Sequence, residues 1–436
     1  MNRLLHLGLL ASLGFSLMPG IDGVRAQSSH NFAAQAGVDK TVDVAFDRKN
    51  PGMGTFALQY ELGRKFDPAK PTVFVIADGQ QFYVRPGAIA PLQDELFGDR
   101  FNVVGIIGRA SNSHVLEKIK AGGQIDWRLA YDLLRSEEWV DDIEAVRQAV
   151  VGDSGLISLY GRSGGGLLVH QYMAKYPDHV RTAFTQAAVN RFIDAEFHLN
   201  SDHFWDEVGQ YDRSLQDLLT AAIAAHPSDR DKIMLLLQRQ NFFVPAAQLN
   251  HARADLIRTL STWDSAKLAD YSKRYQVDQV LQQLRDAANP AANVRLYEFY
   301  APLSSLIDQK DAHSSGRINP DVEVLRMFAA PLLKLAKEGR IRFPTMNLSN
   351  LNRVGGSVYL LAAVYDHTAD YRSQIALASH FQNYRLLLLA DDHDFLALSK
   401  TGLYPALIQA ALLEGADGLG VRKVEAGLAS LRYSEF

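Results

Sequence analysis

The chain has 436 residues, with 45 Lys and Arg against 49 Asp and Glu, a formal charge of −4, 47 % hydrophobic and 22 % charged residues. These are the proportions of a soluble globular protein with a sizeable core. They exclude the basic excess of a nucleic-acid binder and the polybasic face of a membrane-surface protein. The absence of cysteine excludes disulfides, thiolate metal sites, cysteine catalysis and a lipid anchor on an N-terminal cysteine.

The first segment reads as a signal for export. Arg3 supplies a positive charge, residues 4–18 are mostly apolar, Pro19 and Gly20 break the run, and Val24-Arg25-Ala26 places small residues at the cleavage positions. Cleavage is expected before Gln27, with the mature chain periplasmic or extracellular. The run is shorter than the ~20 residues a spanning helix needs, so no stable membrane insertion is expected after cleavage.

Two alternating runs follow. Val42, Val44 and Phe46 share one face, as do Phe56, Leu58, Tyr60 and Leu62, with a turn-rich link between them; this predicts an antiparallel pair. Residues 72–76 and 103–107 are instead nearly continuous apolar runs, the pattern of strands covered on both faces. Trp139, Ile143, Val146 and Val150 recur at helical spacing. Residues 156–160 and 180–188 read as further strands. Alternation of strand and helix predicts an α/β fold with a doubly wound, mostly parallel sheet.

From residue 191 to 352 the strand signal fades. Leu215, Leu218, Leu219 and Ile223 fit one helix face; Ile233, Leu236 and Leu237 fit a second. Val277, Val280, Leu281 and Leu284 fit a third, and Val322, Leu325 and Phe328 a fourth. A segment this long is an inserted helical unit, not a loop. Strand patterns return at 357–364 and 384–390, and a closing helix is predicted at 404–413. The organisation read from the sequence is a signal at 1–26, a core at 27–190, a helical cap at 191–352 inserted after the sixth strand, and the rest of the core at 353–436.

The most informative stretch is a strand running into Gly161-Arg162-Ser163-Gly164-Gly165 and then into a helix carrying Leu168, Tyr172, Met173 and Tyr176, ended by Pro177. A serine on so sharp a turn has a strained backbone and close neighbours, which calls for glycines beside it. The following helix presents its positive end to developing negative charge. The stretch lacks the Lys-Ser/Thr ending of a P-loop and has the wrong glycine spacing for a dinucleotide fingerprint.

The segment resembles the nucleophile elbow of the α/β-hydrolase superfamily, and the resemblance extends over most of the chain after the signal. It implies a serine nucleophile, Ser163, then an acid at the end of a later strand and a histidine after the next strand. In those terms Asp366 is the acid and His393 the base. Asp370, Asp391 and Asp392 remain competing acids, and His367 should point away from the site. Many members have glycine before the histidine; here Asp391-Asp392 stands there. The resemblance also implies an oxyanion hole. Its donors would be the Gly164 N–H and, from the turn Asp78-Gly79-Gln80-Gln81, the Gln80 N–H, with Asp78 where relatives carry histidine.

Serine at the elbow points to acyl transfer through a covalent intermediate, with no cofactor and no metal required. The substrate expected is a small ester or lactone. An aminopeptidase of the proline-iminopeptidase type acting on short peptides is the alternative. It would use cap carboxylates such as Asp194, Glu196, Asp202, Asp206 and Glu207, which lie among aromatics, to hold a free amine. A binding protein without catalysis on the same fold is the third reading.

Overall fold

The computed structural model describes residues 40–78, 84–199, 203–286, 289–304, 317–343 and 345–434. The expected signal and its cleavage point before Gln27, the proposed donor Gln80, and Asp202 lie outside the described residues.

Eight strands form one sheet: β1 (Lys40–Ala45), β2 (Thr55–Leu62), β3 (Thr72–Ile76), β4 (Asn102–Ile107), β5 (Ile157–Arg162), β6 (Val180–Gln186), β7 (Ser357–Ala363) and β8 (Tyr384–Leu389). Their order across the sheet is β1-β2-β4-β3-β5-β6-β7-β8. β1 and β2 pair antiparallel with Val42 opposite Leu58 and Val44 opposite Phe56, and β2 joins β4 antiparallel. Every remaining pairing is parallel.

The sequence accounts for this split. In β2, Phe56, Leu58 and Tyr60 are buried while Thr55, Ala57 and Gln59 are exposed, the alternation of a strand with one wet face. All five residues of β3 are buried, as helices on both sides of a parallel sheet require. β8 lies at the edge, so Leu386 and Leu388 of its apolar run are only half-buried. Its outer side is covered at the C-terminal end. The Leu388 and Leu431 carbonyl oxygens accept from the Tyr433 and Ala390 N–H groups, at 2.9 and 2.8 Å, so the C-terminal segment runs along it.

Two expectations change in detail. β6 stops at Gln186, not at residue 188, because Ala187 turns into positive φ (43°). The helix after the serine, Gly164–Lys175, has more than the one apolar face that the spacing of Leu168, Tyr172, Met173 and Tyr176 predicts. It is buried from Gly164 to Ala174, because it lies between the sheet and the neighbouring helix Ser136–Val151. Full burial of each of Leu167, Leu168 and Met173 contributes about 1.5–3 kcal/mol.

Between β6 and β7 the described residues contain helices and no strand. The four expected helices are Ser214–Ala225, Arg230–Phe243, Val277–Asp286 and Pro320–Lys337. Others were not anticipated, above all Pro290–Leu303, which is buried on nearly every side. A helix buried all round has no apolar stripe for periodicity to reveal. Strand order, parallel core, and a serine turn between a central strand and a buried helix together make this the α/β-hydrolase fold.

Candidate active site

Ser163 sits between β5 and the helix Gly164–Lys175 with φ 51° and ψ −123°. Positive φ is rare for a residue with a side chain and costs on the order of 1–3 kcal/mol. Backbone bonds hold it there: the Ser163 N–H donates to the Gln186 carbonyl at 3.0 Å, and its own carbonyl accepts from Val189 at 3.2 Å. The turn is as crowded as its glycines predict. A Cβ on Gly161 would lie 2.7 Å from the Gly165 carbonyl oxygen, and one on Gly166 would lie 2.7 Å from Ala188 Cβ. Gly164, the residue expected to supply an oxyanion-hole N–H, is the first residue of the buried helix.

Asp366 follows β7 and His393 follows β8. The two turns are joined by backbone bonds, Val364 N–H to the Leu389 carbonyl at 2.9 Å and Tyr365 N–H to the Asp391 carbonyl at 3.1 Å. Asp366 Oδ1 accepts from the N–H groups of Thr368 and Ala369, each at 2.8 Å. Its Oδ2 lies 2.7 Å from His393 Nδ1, with both side chains buried. Burial by itself would lower the His393 pKa. The charge and hydrogen bond of Asp366 outweigh it, so the net shift is upward from the ordinary histidine value. The other ring nitrogen, Nε2, is buried and has no hydrogen-bond partner among the described residues. The Ser163 hydroxyl is therefore not bonded to it in this structure; such bonds often tighten only when substrate binds.

The serine turn and the histidine turn touch through their flanking residues. Arg162 Nη2 donates to Asp394 Oδ1 at 2.9 Å, linking the residue before the serine to the residue after the histidine. From the helical segment, the Phe242 ring meets the His393 ring edge to face, with centroids 5.9 Å apart.

The competing carboxylates are occupied elsewhere. Asp391 accepts from the Ala397 and Leu398 N–H groups, capping the helix Leu396–Lys400. Asp392 accepts from Asp394 and Leu396; burial, with the neighbouring Asp391 charge, pushes it up to about 6. Asp370 caps the helix Tyr371–Ala378 and pairs with Arg372. The two aspartates before the histidine thus tie the turn with side-chain caps where glycine is usual. His367 faces Glu207, 3.6 Å away, and not His393.

Asp78, at the end of the described part of the β3 turn, is buried and lies 3.3 Å from Arg295 Nε. Arg295 belongs to the unanticipated helix Pro290–Leu303. It also donates to Glu298 at 2.8 Å and to the Gly164 carbonyl at 3.1 Å. Glu298 in turn accepts from the Ser136 N–H and hydroxyl. One guanidinium therefore ties the β3 turn, the serine turn and the helical segment together. Its sequence signal is faint but present: a charged pair three residues apart within an otherwise apolar helix.

The carboxylates expected to hold an amine are otherwise engaged. Asp194 is buried against Arg191 and Ser373. Glu207 pairs with Arg253. Glu196 and Asp206 are exposed. A surface cleft lined by Arg48, Glu137, Asp141, Lys175 and Asn347 includes none of Ser163, Asp366 and His393.

No family model and no curated protein matches the sequence. Among solved structures, the chain is similar to a bromoperoxidase from Bacillus anthracis (12 % identity, TM-score 0.42, covering 85 % of this chain and 98 % of that one). It is also similar to a proline iminopeptidase of Mycobacterium smegmatis (14 %, 0.42, 86 % and 97 %). A third is an esterase from Exiguobacterium antarcticum (10 %, 0.38, 79 % and 93 %). At such identities, what the chain does has to be read from its own residues.

Proposed function

We propose that this chain, with its α/β-hydrolase fold, is a serine hydrolase that cleaves a carboxylic ester or lactone through an acyl-enzyme on Ser163. His393 Nε2 takes the hydroxyl proton as Ser163 Oγ bonds to the substrate carbonyl carbon. Asp366 holds the ring by Nδ1 and stabilises the imidazolium. The tetrahedral oxygen faces the N–H groups of Gly164 and Gln80. The C–O bond to the alcohol breaks, and the alcohol leaves with the proton from His393. Water, deprotonated by the same nitrogen, then releases the acid and restores the serine.

The observation that carries this reading is the Asp366–His393 bond at 2.7 Å, which leaves a buried, unbonded Nε2 on a turn anchored to the Ser163 turn. A binding protein without catalysis would have no use for the strain at Ser163. An aminopeptidase needs an unpaired carboxylate for the substrate amine, and Asp194 and Glu207, the buried and half-buried candidates, are paired with arginines. The helical segment acts as the cap, reaching the site through Phe242 and Arg295. Export through residues 1–26 belongs to the same reading and predicts a mature protein that begins at Gln27.

The test is to label the mature protein with a fluorophosphonate and to compare turnover of a p-nitrophenyl ester with that of an aminoacyl anilide. Labelling and ester turnover should both vanish in Ser163→Ala. Labelling that survives the substitution overturns the assignment; anilide turnover that exceeds ester turnover moves it to the peptidase.

A further inference from the structure

Arg239, on the helix Arg230–Phe243, differs from the other buried arginines. Among the described residues seven arginines are buried. Six of them, Arg109, Arg135, Arg147, Arg191, Arg253 and Arg295, each have a carboxylate oxygen within 3.0 Å. Arg239, 4 % exposed, has none within 4.0 Å among the described residues. Of its five donors, only Nε is used among the described residues, at 3.0 Å from the Tyr275 carbonyl oxygen.

A guanidinium left without a counter-charge in a low-dielectric interior is costly, and native cores pair such groups. Here the surroundings are aromatic. The guanidinium carbon lies 5.0 Å from the Phe243 ring centre and 6.0 Å from that of Phe242. Phe242 is the residue whose ring meets the His393 imidazole. The cation thus stands one aromatic ring away from the proposed base. Among the described residues the one acidic charge that acts on it is Asp394, which already pairs with Arg162. Burial draws the Arg239 pKa down to about 10, so the group remains charged at neutral pH.

We infer that Arg239 is the counter-charge for an anionic substrate: an ester carrying a free carboxylate a short chain away from its scissile carbonyl. The planar fork of the guanidinium suits a carboxylate bidentately, and the flanking rings exclude the water that would screen the pair. The inference rests on the serine-hydrolase reading and narrows its substrate class.

The experiment compares two matched pairs, so that the carboxylate is tried on either side of the bond: monomethyl adipate against methyl hexanoate, and O-acetyl-6-hydroxyhexanoate against hexyl acetate. In one pair at least, kcat/KM should favour the anion by tenfold or more. Arg239→Gln should collapse that ratio, and Arg239→Lys should keep part of it. A preference that survives Arg239→Gln, or no preference in either pair from protein that labels at Ser163, overturns the inference. If the glutamine variant does not fold, the wild type decides. Adipate should slow fluorophosphonate labelling of Ser163 and hexane-1,6-diol should not; equal effects overturn it. Failure of the wild type to label at all counts against the serine nucleophile instead. The anion site is then judged by adipate raising the Tm of Ser163→Ala by 2 °C or more, and a smaller rise overturns it.

Discussion

The turns after β7 and β8 are held mostly by their own backbone, whereas Asp78, just past β3, is bound by a side chain from 217 residues further along the chain. In the first region Asp366, Asp370, Asp391 and Asp392 each accept from nearby N–H groups, and two inter-turn backbone bonds join the loops. In the second, Arg295 alone spans Asp78, Glu298 and the Gly164 carbonyl. The proposed acid–base pair is therefore built locally, and the contacts of Asp78 and the Gly164 carbonyl depend on the helical segment being docked. Local caps are worth about 1 kcal/mol each and fail one at a time. A buried charge that serves three partners fails all at once.

This contrast can be broken at four places. Asp366→Asn should have the largest effect, lowering kcat by about 10³–10⁴-fold with little change in unfolding midpoint, because it leaves His393 without its charge partner. Next, Arg295→Met takes the Arg295 charge away from buried Asp78 and Glu298. It should lower stability by about 3–5 kcal/mol in urea unfolding, and turnover should fall with it. Adding Asp78→Asn and Glu298→Gln should recover part of the stability. Asp391→Ala removes caps from one short helix and should lower stability by about 1–2 kcal/mol. The smallest effect belongs to Asp370→Asn, about 1 kcal/mol with ester turnover nearly unchanged; a loss as large as that of Asp366→Asn would reassign the acid.

The pH profile sharpens the same comparison. As the proposed base, His393 must be neutral to accept the serine proton, and its pKa is raised, with Asp366 overcoming the effect of burial. The kcat/KM profile should therefore climb with pH through an inflection above 6.5 and be lost below it. In Asp366→Asn the opposing charge is gone and burial remains, so the inflection should move down. An inflection that does not move would sever the link between the two residues.

The sheet is legible in the sequence because buried and half-buried strands carry distinct patterns. The apolar run of β3 and the alternation of β2 need no partner to be recognised. Ser163, Asp366 and His393 are legible as strand-end residues at turns, which are local features. Arg295, Phe242 and the Arg162–Asp394 link are not, because each acts across a contact that only the folded chain creates. The helix that bears Arg295 is invisible to periodicity for a physical reason: apolar surface on all its faces leaves no stripe. Arg239 is hidden differently. An arginine in a helix reads as a solvated face, and only the absence of a nearby carboxylate among the described residues sets it apart.

The segment that runs along β8 has a consequence for handling the protein. An unpaired outer strand rich in leucine is a template for joining a second chain side by side, and here Leu431 and Tyr433 occupy the outward backbone groups of Leu388 and Ala390 at its end. Trimming from residue 428 onward would spare every residue near the serine yet uncover the template. Shortened preparations should consequently self-associate at concentrations where the full chain does not, so an affinity tag is better kept away from this terminus.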